Sequence, residues 1–596
     1  MEFQLAYQFS WCILILNNLT KNWKFCPKAP AVFLNSFPEY PEIIKQILYC
    51  RGIDTEAKIN EFFNPDYDQD LFDPFLFLEM KKAVRRIFQA IKKQEKIVVY
   101  GDYDADGVTG ALIVLNTLKF LGSQQARFYL PDRDKEGYGL NKSALNKFLK
   151  EKVKLLITVD CGVSTVEEVQ IVQKNGMDVI ITDHHAIGPK LPPAFAMIHA
   201  KNPKDKYPFQ ELTGAGMAFK LAQALLRSQT KNKTDKNHSS LQIAFEKWLL
   251  DLTAVGTVAD CADLIGENRT LVKYGLIVLN KTARPGLRAL IQQSGAEIGK
   301  LNAWHIGFQI APRINAAGRM DHANTAFYLL GAKKIKYAKK MAQKLERQNK
   351  SRQDLVKRIE TEAIAEFQKN NKNFFFLAKN KNWPIGVCGL AASRIVEKIN
   401  RPCFICEEKK GIIKCSGRSI KKFNLVKALQ KCAKFLENFG GHSQAAGFAL
   451  KPLAWEKFYA KIKELVQKDL NLKDLTPTLT VDVKITAQAI SWKTFDWLKR
   501  MEPFGMGNPR PRFLIKNLRV EEIKIIGRDK NHLKLKVCEN KKSDSCRIFD
   551  AIGFALGSFG EKIKKGKVID LIFELDVNEW NGRRDLQLKI VDLKCR

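Results

Sequence analysis

Three apolar runs in the first third of the chain end in acids or histidines. Residues 96–100 lead into Gly101-Asp102-Tyr103-Asp104-Ala105-Asp106-Gly107, residues 155–159 into Asp160, and residues 179–182 into Asp183-His184-His185. Carboxylates and imidazoles are donors for divalent cations, and the three acids in the span Asp102 to Asp106 repel one another strongly unless a cation compensates them. Asp260 ends the apolar helical pattern Ala254-Val255-Gly256-Thr257-Val258-Ala259 and is a further candidate for the same centre. The spacing Asp102-x-Asp104-x-Asp106-Gly107 also opens a calcium-binding EF-hand loop. That reading fails at the twelfth position, Ile113, where a bidentate Glu is needed, and at the strand that stands in place of the entering helix. A strand-end acid alone is an ordinary helix cap, and a lone His pair is more often structural than catalytic; the weight lies in convergence. In that setting a neutral His184 suits a cation, and His185 suits a phosphoryl oxygen or leaving group.

The elements that must position these groups are strands. Each run is rich in Val, Ile and Leu, lacks polar alternation and precedes a helical pattern, as strands buried on both faces of a parallel sheet do. Ligands of open α/β sheets gather outside the carboxyl ends of such strands, so the three ends predict one crevice dense in oxygen donors. Helical segments at 111–121 and 166–175 alternate with the strands, which predicts a doubly wound sheet.

A chain of 596 residues exceeds one core and predicts three or four domains in an α/β multidomain fold. Residues 1–75 read as a mostly helical lead-in and 76–330 as the first α/β domain, with a basic insertion at 231–238. Residues 331–370 predict a long connecting helix, marked by Met341, Leu345, Leu355, Ile359 and Ala363 and free of Gly and Pro from 332 on. A second α/β unit occupies 371–472. Within 473–596, five candidate strands at 513–526, 532–538, 547–554, 568–577 and 585–593 fit an OB-fold barrel.

The 99 basic against 63 acidic residues give a net charge of +36, which points to a polyanion such as nucleic acid, although biased codon usage also produces such an excess. Thirteen scattered cysteines argue against a disulfide framework and for a reducing compartment, the cytoplasm. Cys403 and Cys406 have CxxC spacing in an apolar run and read as core cysteines rather than a zinc or redox site. The apolar stretch 5–16 is too short to span a bilayer, and Glu2 stands where a signal peptide is basic, so no membrane partner is expected.

Taken together, the motifs resemble those of the single-strand-specific 5′ to 3′ DNA exonucleases of the DHH phosphoesterase superfamily. They are GDYDADG at 101–107, VDCG at 159–162, TDHH at 182–185 and GTVAD at 256–260, then APRINAAGR at 311–319, SGRS at 416–419, FGGH at 439–442 and PFGMGNPRPRF at 503–513. The resemblance implies a DHH domain with a parallel sheet, a connecting helix, a DHHA1 domain and a C-terminal OB-fold. It implies two ions, Mg²⁺ or Mn²⁺, one held by Asp106, Asp160, His184 and Asp260, the other by Asp104, Asp160 and Asp102. Asp104, Asp106, Asp160, His184, His185 and Asp260 form the expected catalytic set. Where many superfamily members carry a histidine before the aspartates, this chain has Tyr100.

Such a pair of ions supports phosphodiester hydrolysis. Arg133 and His185 are expected on the substrate phosphate, with an Arg133–Glu136 surface ion pair as the alternative. Ser416, Arg418, Gly440, Gly441 and His442 are expected to bind a terminal 5′ phosphate. Arg313, Asn315 and Arg319 either extend that pocket or form a structural network at a domain junction. Tyr138, Phe513 and Trp580 are candidate base platforms beside Lys534, Lys536, Arg583 and Arg584, with core packing as the alternative for each ring. The implied protein is a monomer acting on single-stranded DNA in repair and recombination, with a single-strand-binding protein and a helicase as further partners. Alternatives are a phosphodiesterase for short oligonucleotides or cyclic dinucleotides, and a catalytically silent scaffold of the same fold.

Overall fold

A computed structural model describes residues 21–230, 236–369, 374–539 and 546–596. The apolar stretch 5–16 and residues 231–235 of the insertion lie outside the described residues, and the insertion's last residues begin a helix, Lys236–Trp248. The chain forms two compact units that do not follow its order. One contains Thr55–Arg352 and Met501–Pro509, the other Met1–Asp54, Gln353–Arg500 and Arg510–Arg596.

The first of these units is built on a five-stranded, all-parallel sheet in the order Ala126–Tyr129, Ile97–Gly101, Leu155–Val159, Asp178–Thr182, Ala196–Ile198. Alternate residues of each strand serve different cores. Ile97, Val99, Leu155, Ile157 and Ile180 pack with helices Ala105–Phe120, Gly214–Thr230 and Leu250–Ala259. Val98, Tyr100, Leu156, Val179 and Ile181 pack with helices Lys142–Lys150 and Val166–Lys174. This two-sided burial explains the unbroken apolar runs, since no position faces water; each buried Val, Leu or Ile contributes about 2 kcal/mol. The helix expected at 111–121 begins at Ala105, because the Asp104 carboxylate caps it by accepting from the Asp106 and Gly107 N–H groups at 3.0 Å.

Helix Ile335–Lys369 runs 35 residues, about 50 Å at 1.5 Å per residue. Ala338, Ala342, Leu345, Val356, Ile359 and Ala363 form its buried stripe, so Val356 rather than Leu355 takes the inward position.

In the other unit a mixed five-stranded sheet runs Asn438–Gly441, Ala445–Leu450, Ile412–Arg418, Cys403–Lys409, Phe376–Asn380, with only the last pair parallel. Cys406 faces Cys415 across two of its strands and is disulfide-bonded to it, with the Cα atoms 4.0 Å apart. This departs from the expectation of unpaired core cysteines, which Cys403, buried and free, does meet. The partner is the residue opposite in the ladder, not the one at CxxC spacing.

The C-terminal strands Phe513–Ile526, His532–Glu539, Phe549–Gly553, Arg583–Cys595 and Val568–Trp580 close on themselves through pairing of the first with the last, an OB-like barrel. The lead-in reaches this unit as well: Asn22–Phe25 pairs in parallel with Thr478–Val481, and Trp23 Nε1 donates to Asp592 Oδ2 at 2.7 Å. Among the described residues no helix is long and apolar enough to cross a membrane.

Candidate metal centre

The carboxyl ends of three adjacent parallel strands carry the acids and histidines, as the open-sheet rule requires. Asp102 follows strand Ile97–Gly101 and is buried, with Oδ1 lacking any hydrogen-bond partner among the described residues. Asp106, on the first turn of Ala105–Phe120, accepts from the Gly214 N–H at 2.6 Å and the Ala215 N–H at 2.9 Å, so a second helix N-terminus faces its charge. Asp160 turns out of its strand at φ 63°, a left-handed conformation that Asp tolerates better than branched residues. Gly214 must lack a side chain there: a Cβ would lie 2.4 Å from the Asp160 Cβ.

His184 Nε2 lies 3.0 Å from Asp160 Oδ1, 3.8 Å from Asp260 Oδ2 and 3.9 Å from Asp106 Oδ2. His185 Nδ1 lies 2.9 Å from Asp183 Oδ1 and 3.7 Å from Asp160 Oδ1. Asp183 also accepts from the N–H groups of His184, His185 and Val163, at 2.7, 3.2 and 2.9 Å. The Tyr138 hydroxyl sits 2.9 Å from His185 Nδ1 and donates to the Asp160 carbonyl at 3.2 Å. Tyr138 therefore braces His185, although its ring is 43% exposed.

Three sets of donors each come within 4.8 Å of one another: Asp102, Asp104 and Asp160; Asp106, His184 and Asp260; and Asp160, His184 and His185. Asp160 and His184 are shared. The electrostatics are those of crowded anions. Burial and then Asp104 push the Asp106 carboxyl up to about 7, and burial, Asp106 and Asp104 push Asp260 up to about 9. Asp102 and Asp160 are raised well above the usual carboxylate range by burial and neighbouring acids. Burial and the adjacent His185 lower His184 to about 3, which keeps its imidazole neutral. Burial also opposes ionisation of Asp183 and His185, but their mutual hydrogen bond and attraction win, holding Asp183 near 2 and raising His185. Five repelling carboxylates, a neutral imidazole and the orphaned Asp102 oxygen fit a hard divalent cation.

Tyr100, by contrast, is a core residue: its hydroxyl donates to the Gly139 carbonyl at 2.8 Å and accepts from Asn141 Nδ2 at 3.1 Å. Arg133 stands 4.9 Å over the Tyr103 ring, and its charge favours ionisation of Asp102. It forms no ion pair with Glu136, which instead accepts from the Tyr129 hydroxyl, the Asp132 N–H and Asn141. Arg313 is buried against Glu346 at 2.5 Å and donates to the Gln309 carbonyl at 2.7 Å, as the structural alternative expects. Asn315 Oδ1 accepts from the Ala105 N–H at 2.7 Å, and so braces the aspartate loop. Arg319 lies on the same helix, Ala311–Met320, and its charge favours ionisation of Tyr103.

Within the other unit, Ser416, Arg418, Gly440, Gly441 and His442 lie on or beside neighbouring strands, with Gly441 opposite Ala446 and Ala446 opposite Gly417. Arg418 Nη1 donates to the Gly417 carbonyl at 2.8 Å and to Ser416 Oγ at 3.3 Å. Gly389 leaves room for this pair, since a Cβ there would meet Ser416 Oγ at 2.8 Å and Arg418 Nη2 at 2.9 Å. On the barrel Trp580 is 55% exposed, but Phe513 is fully buried against Phe573 and is no base platform, because its register points it inward. Sequence reasoning left Gly214, Ala215 and Asp183 out of the site; the small residues Gly214-Ala215-Gly216 opening a helix were the available signal.

Comparison with known proteins supplies independent findings. Residues 96–257 match the N-terminal domain of the DHH family, 371–468 the DHHA1 domain and 481–592 the RecJ OB domain. The single-stranded-DNA-specific exonuclease RecJ of Bacillus subtilis (strain 168) is 40% identical over 554 residues, 92% of this chain and 67% of that protein. Its namesake from Dickeya dadantii (strain 3937) is 30% identical over 93% of this chain and 96% of its own length. The crystal structure of RecJ from Thermus thermophilus in complex with Mn²⁺ superposes with a TM-score of 0.80 at 28% identity, covering 96% of this chain and 79% of that one. The Mg²⁺ complex of the same protein gives 0.73 at 26% identity, covering 96% and 78%.

Proposed function

The chain belongs to the RecJ family of single-stranded-DNA-specific exonucleases, and from that premise we propose that it hydrolyses single-stranded DNA from the 5′ end to 5′-mononucleotides. The observation that carries the reaction type is the Asp160 carboxylate, which belongs at once to the Asp102–Asp104 donor set and to a set containing His184. Asp106, Asp160, His184 and Asp260 would hold one divalent ion, and Asp102, Asp104 and Asp160 the other. Mn²⁺ or Mg²⁺ bound there would acidify the attacking water and offset the charge developing on the scissile phosphate.

The chain's own groups do the rest. His184 stays neutral and therefore available as a donor atom. Asp183 fixes the His185 ring through Nδ1, leaving Nε2 to donate to a phosphate or leaving oxygen, and Tyr138 limits rotation of that ring. Arg133 supplies a further cation to the phosphate. Arg313 and Asn315 act by positioning, through Glu346 and Ala105, and Arg319 contacts the strand. Ser416, Arg418 and the 440–442 turn bind the terminal 5′ phosphate. The protein works as a cytoplasmic monomer in DNA repair and recombination, on strands supplied by a helicase and a single-strand-binding protein.

End-labelled substrates test polarity and end recognition together. On 5′-phosphorylated single strands labelled at either end, mononucleotides should leave from the 5′ end first, with duplex DNA spared. Arg418→Ala should weaken engagement of the 5′-phosphorylated end about 10–100-fold while leaving Mn²⁺ affinity intact. Equal turnover of phosphorylated strands by that variant would sink the assignment of the 5′-phosphate pocket.

A further inference from the structure

Asp260 differs from Asp104, Asp106 and Asp160 in how it is held. Asp106 accepts two backbone N–H groups, Asp104 caps its helix and Asp160 meets His184. Among the described residues no donor is hydrogen-bonded to the Asp260 carboxylate, and the neutral His184 Nε2 lies 3.8 Å away. Its position therefore rests on its backbone, at the C-terminal end of helix Leu250–Ala259, where Cys261 reverses the chain at φ 58°. What fixes the turn from Cys261 to Leu264 fixes Asp260.

That turn is clasped by a segment remote in sequence, Met501–Pro509. It packs in the unit of the metal centre although the residues on both sides of it belong to the other unit. The Leu264 N–H donates to the Met506 carbonyl at 2.8 Å. The contact is close: a Cβ on Gly505 would lie 2.7 Å from Leu264 Cδ1, and one on Gly507, which has φ +68°, would lie 2.9 Å from the Asp263 Cβ. From inside the turn, Asn268 Nδ2 donates to the Asp263 carbonyl at 3.3 Å.

The clasp has its own anchors. The Arg269 guanidinium, 2% exposed and 3.8 Å over the Phe62 ring, donates to the carbonyls of Phe62, Met501, Glu502 and Pro503 at 2.8, 3.1, 2.9 and 3.4 Å. Asn508, fully buried, donates through Nδ2 to the carbonyls of Met501 and Pro503, each at 2.8 Å, and its own carbonyl accepts from the Gly505 N–H at 2.9 Å. A buried guanidinium that donates to four backbone carbonyls makes the loop's conformation costly to change. These residues touch no reacting atom: Arg269 and Asn508 fix residues 501–503, and the segment meets the turn that carries Asp260 through the Met506 carbonyl and the close approach of Gly505 and Gly507.

We propose that residues 501–509, held by Arg269 and Asn508, are a positioning element for Asp260 and thereby set the affinity of the cation site formed with Asp106 and His184. The inference rests on the metal reading given above. It also assigns a role to the Pro503-Phe504-Gly505-Met506-Gly507-Asn508-Pro509 motif.

Mn²⁺ binding to the full-length, metal-free protein, followed by the spin-resonance signal of free Mn²⁺, tests the assignment. The variants are Arg269→Ala, Gly507→Ala and Asp260→Ala. Gly507 is exposed, so Gly507→Ala keeps the test open where loss of Arg269 prevents folding. Gly507→Ala should weaken Mn²⁺ binding at least tenfold with unchanged circular dichroism. It should lower kcat at fixed Mn²⁺ with KM for DNA unchanged, and recover when Mn²⁺ is raised, which a merely structural lesion would not do. Wild-type Mn²⁺ affinity in a folded Gly507→Ala, beside a weakened Asp260→Ala, overturns the positioning role. Absence of Mn²⁺ binding by the folded wild type would instead overturn the metal reading, and this inference with it.

Discussion

Asp183 belongs to none of the three donor clusters, yet it orders both histidines, accepting two of their backbone N–H groups and bonding the His185 ring. Asp183→Asn should keep the fold and lower turnover about 10–100-fold, the cost of losing a residue that orients ligands; steady-state kinetics at saturating Mn²⁺ measure it. The carboxyls themselves predict a pH dependence of metal binding. Without metal, Asp106 titrates near 7 and Asp260 near 9, both above the ordinary 3.8, so the folded protein binds more protons than the unfolded chain across that window. Stability of the metal-free protein therefore falls as pH rises through it. A cation must displace the same protons, so its affinity rises with pH. Asp183 acts in the opposite sense: held near 2, it stabilises the fold above about pH 4 and loses that contribution as pH falls toward 2. The rise in Tm on adding Mn²⁺ should be larger at pH 8 than at pH 6, and equal increments would contradict the assignment of Asp106 and Asp260 as ligands.

Among the elements, the start of helix Gly214–Thr230 does two jobs, neutralising Asp106 with two N–H groups and leaving space for Asp160. Gly214→Ala places a methyl 2.4 Å from the Asp160 Cβ, so either the helix or the aspartate must move. The expected result is a loss of about 1–3 kcal/mol in stability by denaturant unfolding, together with weaker Mn²⁺ binding. The strands that carry the acids were legible because burial on both faces removes alternation and leaves apolar runs. Helix Ala105–Phe120 was read six residues short because Gly101 to Gly107 looks like a loop until Asp104 is seen capping it. Elements fixed by remote partners were not legible. Asn22–Phe25 is a strand only because Thr478–Val481 pairs with it, and the Cys406–Cys415 bond follows from strand register. Arg313 and Phe513 likewise owe their burial to Glu346 and Phe573, neither of which local sequence could name.

For the whole molecule, the net charge of +36 becomes informative only when it is located. Lys534, Lys536 and Arg584 on the barrel face Asp550, Glu522 and Glu579 in half-exposed ion pairs, which are weak and exchange readily for phosphates. Replacing Lys534, Lys536, Arg583 and Arg584 together by Ala should weaken single-strand binding and flatten its salt dependence by about 0.7 per lost phosphate contact. An unchanged slope in a fluorescence titration would remove these cations from the DNA path. Truncation before the barrel is a poorer test, since it also removes Thr478–Val481 from its pairing with Asn22–Phe25 and strips Met501–Pro509 from the metal-centre unit. The central claim, that carboxylates converging on Asp160 perform metal-dependent hydrolysis, meets its most direct test in one assay. A 5′-labelled single strand is incubated with the wild type and Asp160→Ala, each with Mn²⁺ or EDTA. Release of labelled mononucleotide by the wild type with Mn²⁺ alone, and by Asp160→Ala in neither condition, is the predicted result; release that survives Asp160→Ala or EDTA would contradict it.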